Sequence, residues 1–119
     1  MTRQEMFDKA YLGVIAQGRL GKTSGGTCSY TITGEDGKQL HCGIGLLLSP
    51  STLELLRVMD KNFSPVASIL RNIPEPLDAF LAIEIQRAHD NADTVAEFLD
   101  DMKVIASNLG LRLPEPTLT

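Results

Sequence analysis

The sequence predicts an α+β fold: one antiparallel β-hairpin packed against about five α-helices, in a single domain. Three observations carry that expectation. Residues Thr27 to Leu48 alternate apolar and polar side chains around a Gly34-Glu35-Asp36-Gly37-Lys38 turn, which is hairpin patterning. Ser-Pro and Thr-x-x-Glu pairs mark helix starts elsewhere along the chain. Apolar residues then recur at helical spacing after each start. At 119 residues the chain can bury a core without disulfides or a metal.

Thr2 and Glu5 make a capping-box pair, and Met6, Phe7, Ala10, Tyr11, Val14 and Ile15 form the apolar stripe of a first helix that Gly18 ends. A glycine-rich loop over residues 18–26 leads into the hairpin. If Ile32 faces Lys38 across the turn, Tyr30 faces Leu40 and Cys28 faces Cys42. Side chains alternate along a strand, so Cys28, Tyr30, Ile32, Leu40, Cys42 and Ile44 share an apolar face. Thr27, Ser29, Thr31, Thr33, Gln39 and His41 lie on the other. A two-stranded ribbon is marginal alone, so helices must cover the cysteine face, while its edges can pair with a second copy of the chain.

Beyond Leu48 proline punctuates. Ser49-Pro50 and Ser64-Pro65 each read as an N-cap before a proline at the first helical position, with Ser51 and Glu54 a competing capping box for the earlier helix. Leu53, Leu55, Leu56, Val58 and Met59 serve that helix, and Val66, Ile69 and Leu70 a short one ending near Asn72. A helix from about Pro76 to Asn91 presents Leu77, Phe80, Leu81, Ile85 and Ala88. Thr94 with Glu97 starts a last helix, striped by Val95, Phe98, Leu99, Met102, Ile105, Ala106 and Leu109 and stopped by Gly110. The domain is expected to span residues 1–111, with 112–119 a flexible Pro-rich tail.

The net charge of −4 and pI of about 5.0 argue against general nucleic-acid binding, which draws on a basic surface. The eleven Lys and Arg residues are scattered. No run is apolar enough to suggest a bilayer span, and the first residues lack the apolar core of a signal peptide. The expected location is the cytoplasm, where Cys28 and Cys42 would stay reduced thiols.

Several motifs invite chemistry. Gly21-Lys22-Thr23 resembles the end of a P-loop, but Ala16 stands where that motif needs its first glycine, and a helix precedes the loop where a strand should. What survives is an anion-binding nest of Arg19, Lys22, Thr23 and Ser24 with the amides around Gly25 and Gly26; the alternative is a plain connection. A zinc site from Cys28, Cys42, His41 and His89 lacks the close ligand pairs such sites use, and buried cysteines pack well as small hydrophobes. No metal or cofactor is therefore expected. A Cys42–His89 or Cys28–His89 pair could form a nucleophile and base, but a thiol on a core face is poorly placed for substrate. His89-Asp90 matches the central dipeptide of HD phosphohydrolases without their further His and Asp on neighbouring helices. As a helix end, His89 suits the carbonyl dipole.

Together, Cys28-x-Tyr30, the tight turn, Cys42-Gly-Ile-Gly-Leu-Leu-Leu48, Leu81 and Ile85-Gln86-x-x-His89-Asp90 resemble a group of short uncharacterised proteins from phages and bacterial genomes. Those carry a Cys-x-Tyr strand, a Cys-Ala-Ile-Gly strand and a Leu-Gln-x-x-His-Asp helix. The resemblance covers about Phe7 to Leu109, and departs from the pattern at Gly43, where alanine is usual, and Ile85, where leucine is. It carries no established reaction. It implies a phage or prophage accessory protein, acting in the host cytoplasm, in which Cys28, Cys42, Gln86, His89 and Asp90 form either an internal bonded core or a pocket.

The functional expectation is a non-enzymatic, oligomeric binding protein, with a counter-defence role. In its sharper form the protein sequesters a small anionic nucleotide signal: Arg19, Lys22, Thr23, Ser24, Gly25 and Gly26 grip phosphate while Tyr30 or His41 meets the base. A protein-binding inhibitor or adaptor acting on a host protein, through the hairpin edge or the helix carrying Glu84, is the alternative, and a Cys–His enzyme a third.

Overall fold

The capping box that Thr2 and Glu5 promise is made in the computed structural model, which describes residues 2–21, 32–33, 39–59, 66–70 and 73–114. Thr2 Oγ1 accepts from the Glu5 amide at 3.1 Å, and Glu5 Oε1 accepts from the Thr2 amide at 2.9 Å. Helix α1 runs Arg3–Gln17 and stops where Gly18 takes a left-handed φ of 78°. Its Met6, Phe7, Ala10, Tyr11 and Val14 are buried, with the Phe7 and Tyr11 rings stacked 5.6 Å apart.

Helix α2 runs Pro50–Val58 with Ser49 as its N-cap, so the Ser-Pro start prevails over the competing Ser51–Glu54 box. Glu54 instead pairs with Arg57 on the helix surface. The cap is reinforced from a distance. Glu75 Oε1 accepts from the Ser49 amide at 3.0 Å and from the Thr52 hydroxyl at 2.8 Å, which sets a carboxylate at the positive end of α2. Partial burial works against the ionised form of Glu75, but these donors outweigh it and hold its carboxyl below the usual range.

Helix α3 is four residues, Val66–Ile69, and the Ser64-Pro65 start proposed for it lies outside the described residues. Helix α4 covers Ala79–Asn91. It begins later than Pro76 because Asp78 is the N-cap: Asp78 Oδ1 accepts from the Leu81 amide at 2.9 Å, and Oδ2 meets Arg3 Nε at 3.0 Å. Helix α5, Val95–Leu109, is capped by Thr94 and ends at Gly110, φ 68°, where the Leu111 amide reaches back to the Ala106 carbonyl at 2.9 Å. Glu97 completes only part of the expected box, since its carboxylate takes the Asp93 amide. The core lies where α1, α4 and α5 meet, and a 3₁₀ turn at Gly45–Leu47 packs on α1.

The α+β expectation is corrected. The described fold is helical, with four helices of nine residues or more and the short α3. Among the described residues, pairing of extended backbone covers two residues on each side, β1 Ile32–Thr33 with β2 Gln39–Leu40, which is no hairpin layer for helices to cover. Even there the register differs, because Leu40 faces Ile32 and not Tyr30. Cys28 and Tyr30 lie outside the described residues. Cys42, assigned to a strand, instead opens a turn: the Leu46 amide bonds to the Cys42 carbonyl at 3.2 Å, and Leu47 and Leu48 bond back to Ile44 and Gly45.

The physical reason lies in two places. Gly43 and Gly45 interrupt the would-be strand with residues that gain nothing from extension. The backbone groups of His41, which a neighbouring strand would pair, are taken by the side chain of Gln17 at the end of α1. Leu40, Cys42 and Ile44 still reach the core, as the apolar pattern requires.

Gly43 sits against α4. A Cβ there would stand 2.7 Å from Ile85 Cγ2, a methyl on a β-branched side chain that cannot swing aside. Leucine at 85 has no such methyl. Gly43→Ala should therefore cost about 1–2 kcal/mol in the natural chain. In an Ile85→Leu background the same change should be neutral or stabilise by up to about 1 kcal/mol, through lost freedom of the unfolded chain. A double-mutant cycle by urea unfolding reads the coupling. Equal cost in both backgrounds would contradict the contact.

Candidate functional site

One seam gathers most of the described polar residues of interest. It lies where the end of α1, the loop over residues 18–21, the turn starting at His41 and the second half of α4 converge. Gln17 is its organiser. Its Oε1 accepts from the His41 amide at 2.8 Å, and its Nε2 donates to the carbonyls of His41 at 3.0 Å and Arg19 at 2.7 Å. One side-chain amide thus satisfies both backbone groups of His41 and ties the loop to the turn.

Gly21 makes the approach possible. A Cβ on it would fall 2.3 Å from the His41 carbonyl carbon and 2.6 Å from the Cys42 nitrogen, so no other residue fits without moving backbone. Its own amide donates to His89 Nε2 at 3.2 Å. A backbone N–H can only donate, so Nε2 accepts and the neutral imidazole carries its proton on Nδ1. His89 is fully buried, with its ring 5.9 Å from that of Phe98 in an edge-on arrangement.

One turn back along α4, Gln86 faces the thiol. Its Nε2 donates to Asp90 Oδ1 at 2.7 Å, which leaves Oε1 to accept from Cys42 Sγ at 3.5 Å. The Gly45 amide donates to the same sulfur at 3.4 Å. Burial pushes the Cys42 thiol up to about 12; the Gly45 amide opposes that rise and the Asp90 charge adds to it. Cys42 is a free thiol, buried and fully protonated near neutrality.

Of the residues proposed to bind a ligand, the structure brings Arg19 and His41 together through Gln17; Arg19 is exposed and His41 half-buried. Lys22, Thr23, Ser24, Gly25, Gly26 and Tyr30 lie outside the described residues, as does Cys28. Cys42, Gln86, His89 and Asp90 meet in the seam as two linked contacts, thiol to amide to carboxylate and imidazole to loop. No group of three or more His, Cys, Asp or Glu suited to a metal ion occurs among the described residues.

Sequence reasoning missed Gln17 and Gly21. The signal for Gln17 was present: it continues the Ala10–Val14 stripe toward the core, where a polar side chain needs a partner. Gly21 had been absorbed into a loop rich in glycine.

The thiol's environment has a measurable consequence. Its proton is held in the folded chain above the pH at which the unfolded chain releases it. The stabilisation is therefore complete below about pH 9 and is lost as pH rises from 9 toward 12. Within that window this residue should lower stability by about 1.4 kcal/mol per pH unit, and Cys42→Ala should remove that component of the slope. In the native chain at neutral pH, iodoacetamide should leave Cys42 unmodified until denaturant is added. Rapid labelling of Cys42, mapped by mass, would show that the burial is wrong.

Comparison with protein-family models, with curated proteins and with solved structures gives no match to this chain.

Proposed function

We propose that this chain is a small non-enzymatic binding protein of phage accessory type, with a counter-defence role, that holds a small anionic ligand such as a nucleotide signal. One observation carries the non-enzymatic part. The imidazole that would be the base in either Cys–His pairing accepts from the Gly21 amide, and the Cys42 thiol is committed to Gln86 and Gly45; Cys28 lies outside the described residues. A nucleophile needs an activated thiolate near a base, whereas this thiol is buried and raised to about 12.

The anion reading draws support from the anchoring of Arg19. Gln17 fixes its carbonyl beside that of His41, so an exposed guanidinium-bearing residue is held at the root of the glycine-rich segment. A backbone already anchored costs less to order when an anion binds beside it. Lys22, Thr23, Ser24 and the amides of Gly25 and Gly26 complete the proposed grip by sequence, with Tyr30 or His41 against the base. Assembly with further copies belongs to the same proposal. No described helix is long and apolar enough to cross a membrane.

A second reading, an inhibitor or adaptor that binds a host protein, draws on the outer face of α4. Phe80 is 56% exposed and Ile83 36% exposed there, beside Glu84, which pairs with Arg87 at 3.2 Å. Exposed aromatic and aliphatic side chains on one helix suit a protein partner.

The test is native mass spectrometry of the gently purified protein, then its denatured mass. Extra mass that leaves on denaturation, and that is lost from an Arg19→Ala/Lys22→Ala double variant of unchanged melting temperature, is the expected result. Retention of the same mass by the double variant would sink the anion reading. A bare mass, with a host protein recovered through Phe80 and Ile83, would replace it with the second.

A further inference from the structure

Among the described residues of the seam, His89 is the one buried imidazole, and its hydrogen bond with the Gly21 amide has a fixed direction. Nε2 accepts from the Gly21 amide. A proton arriving on Nε2 sets two N–H groups against each other, and the contact turns repulsive. The surroundings leave little room to adjust. His89 is wholly buried against the Phe98 ring, and Gly21 is packed so closely on the His41–Cys42 backbone that a single Cβ would collide with it.

We propose that His89 is a proton-operated latch, which holds Gly21, at the end of the loop over residues 18–21, to α4 when neutral and releases it when protonated, while Gln17 keeps the Arg19 carbonyl tied beside that of His41. By sign of charge alone, Arg19 in the loop and Arg87 on α4 oppose a positive ring, while Asp90 on α4 and Glu97 and Asp101 on α5 favour it. Of the other elements packed on α4, α1 buries Tyr11 as its one titratable side chain and α3 carries none. On the turn, Cys42 is uncharged over the range concerned and His41 is half-buried. The Cys42–Gln86 contact holds the same turn to α4 without titrating there. Release is therefore local: Gly21 parts from His89 while Gln17 still anchors Arg19 and the helices stay packed. The latch does not depend on the anion reading.

The experiment is NMR on the full chain between pH 7.5 and 5. Ring nitrogen shifts follow His89, and amide hydrogen exchange, corrected for its intrinsic pH dependence, follows Gly21. The account expects an unprotonated Nε2 at pH 7.5. On acidification His89 should titrate and Gly21 protection should fall at least about tenfold with the same midpoint, while the amides of α5 keep theirs. Gly21 protection that stays flat while His89 titrates would overturn the latch. So would a ring that stays neutral until the whole chain unfolds, or α5 opening in step with Gly21. His89→Gln supplies an accepting Oε1 that cannot titrate, and should keep Gly21 protected throughout; acid release persisting in that variant also overturns the proposal. If His89→Gln does not fold, the natural chain decides. His41→Gln should leave the transition in place.

Discussion

A single glutamine does in this fold what a neighbouring strand does in a sheet. Gln17 offers one acceptor and two donors at the end of α1, and it spends them on the amide and carbonyl of His41 and the carbonyl of Arg19. Buried backbone groups must be paired, and a side-chain amide has the same donor and acceptor geometry as a peptide. Because the His41 backbone is satisfied by a helix, the chain beyond it is free to turn at Cys42 and enter the core as a 3₁₀ turn. Gln4 repeats the device at the other end of α1, where its side chain pairs with both backbone groups of Arg112 at 2.9 Å each.

The rest of the seam follows from that anchoring. With His41 held against α1, Gly21 lies on the turn and its amide points into the core, where only an acceptor can satisfy it. His89 supplies one. The turn in turn presents Cys42 to Gln86, whose orientation Asp90 sets from the helix surface. The polar atoms of the seam are thus paired, between elements at Gln17–His41, Gly21–His89 and Cys42–Gln86 and within α4 at Gln86–Asp90. No buried side-chain nitrogen or oxygen among the described residues lacks a partner. That economy argues for a structural interior.

The helices were legible in the sequence because their signals are local. Thr2, Ser49, Thr94, Gly18 and Gly110 act within a turn of themselves, so reading them requires no knowledge of the fold. The α4 start at Asp78 was placed too early because proline breaks at Pro74 and Pro76 looked like a start. The hairpin misled for a different reason. Leu40, Cys42 and Ile44 are buried as the apolar pattern requires, yet the partner that decides between strand and turn is Gln17, far away in sequence. The Gly21–His89 bond joins residues 68 apart and leaves no periodic trace. The two positions that depart from the resembled pattern, Gly43 and Ile85, touch, which only the fold reveals.

The central claim is that Gln17 replaces a strand, and its removal tests that most directly. Gln17→Met keeps the length and apolar stem of the side chain but removes its hydrogen bonds to the His41 amide and carbonyl. Urea unfolding should show a loss of about 2–3 kcal/mol, for two or three hydrogen bonds at about 1 kcal/mol each. The exchange of the His41 amide should quicken while the amides of α5 hold. A loss under about 0.5 kcal/mol, with the His41 amide still protected, would contradict the account and mean that another group holds this backbone in place.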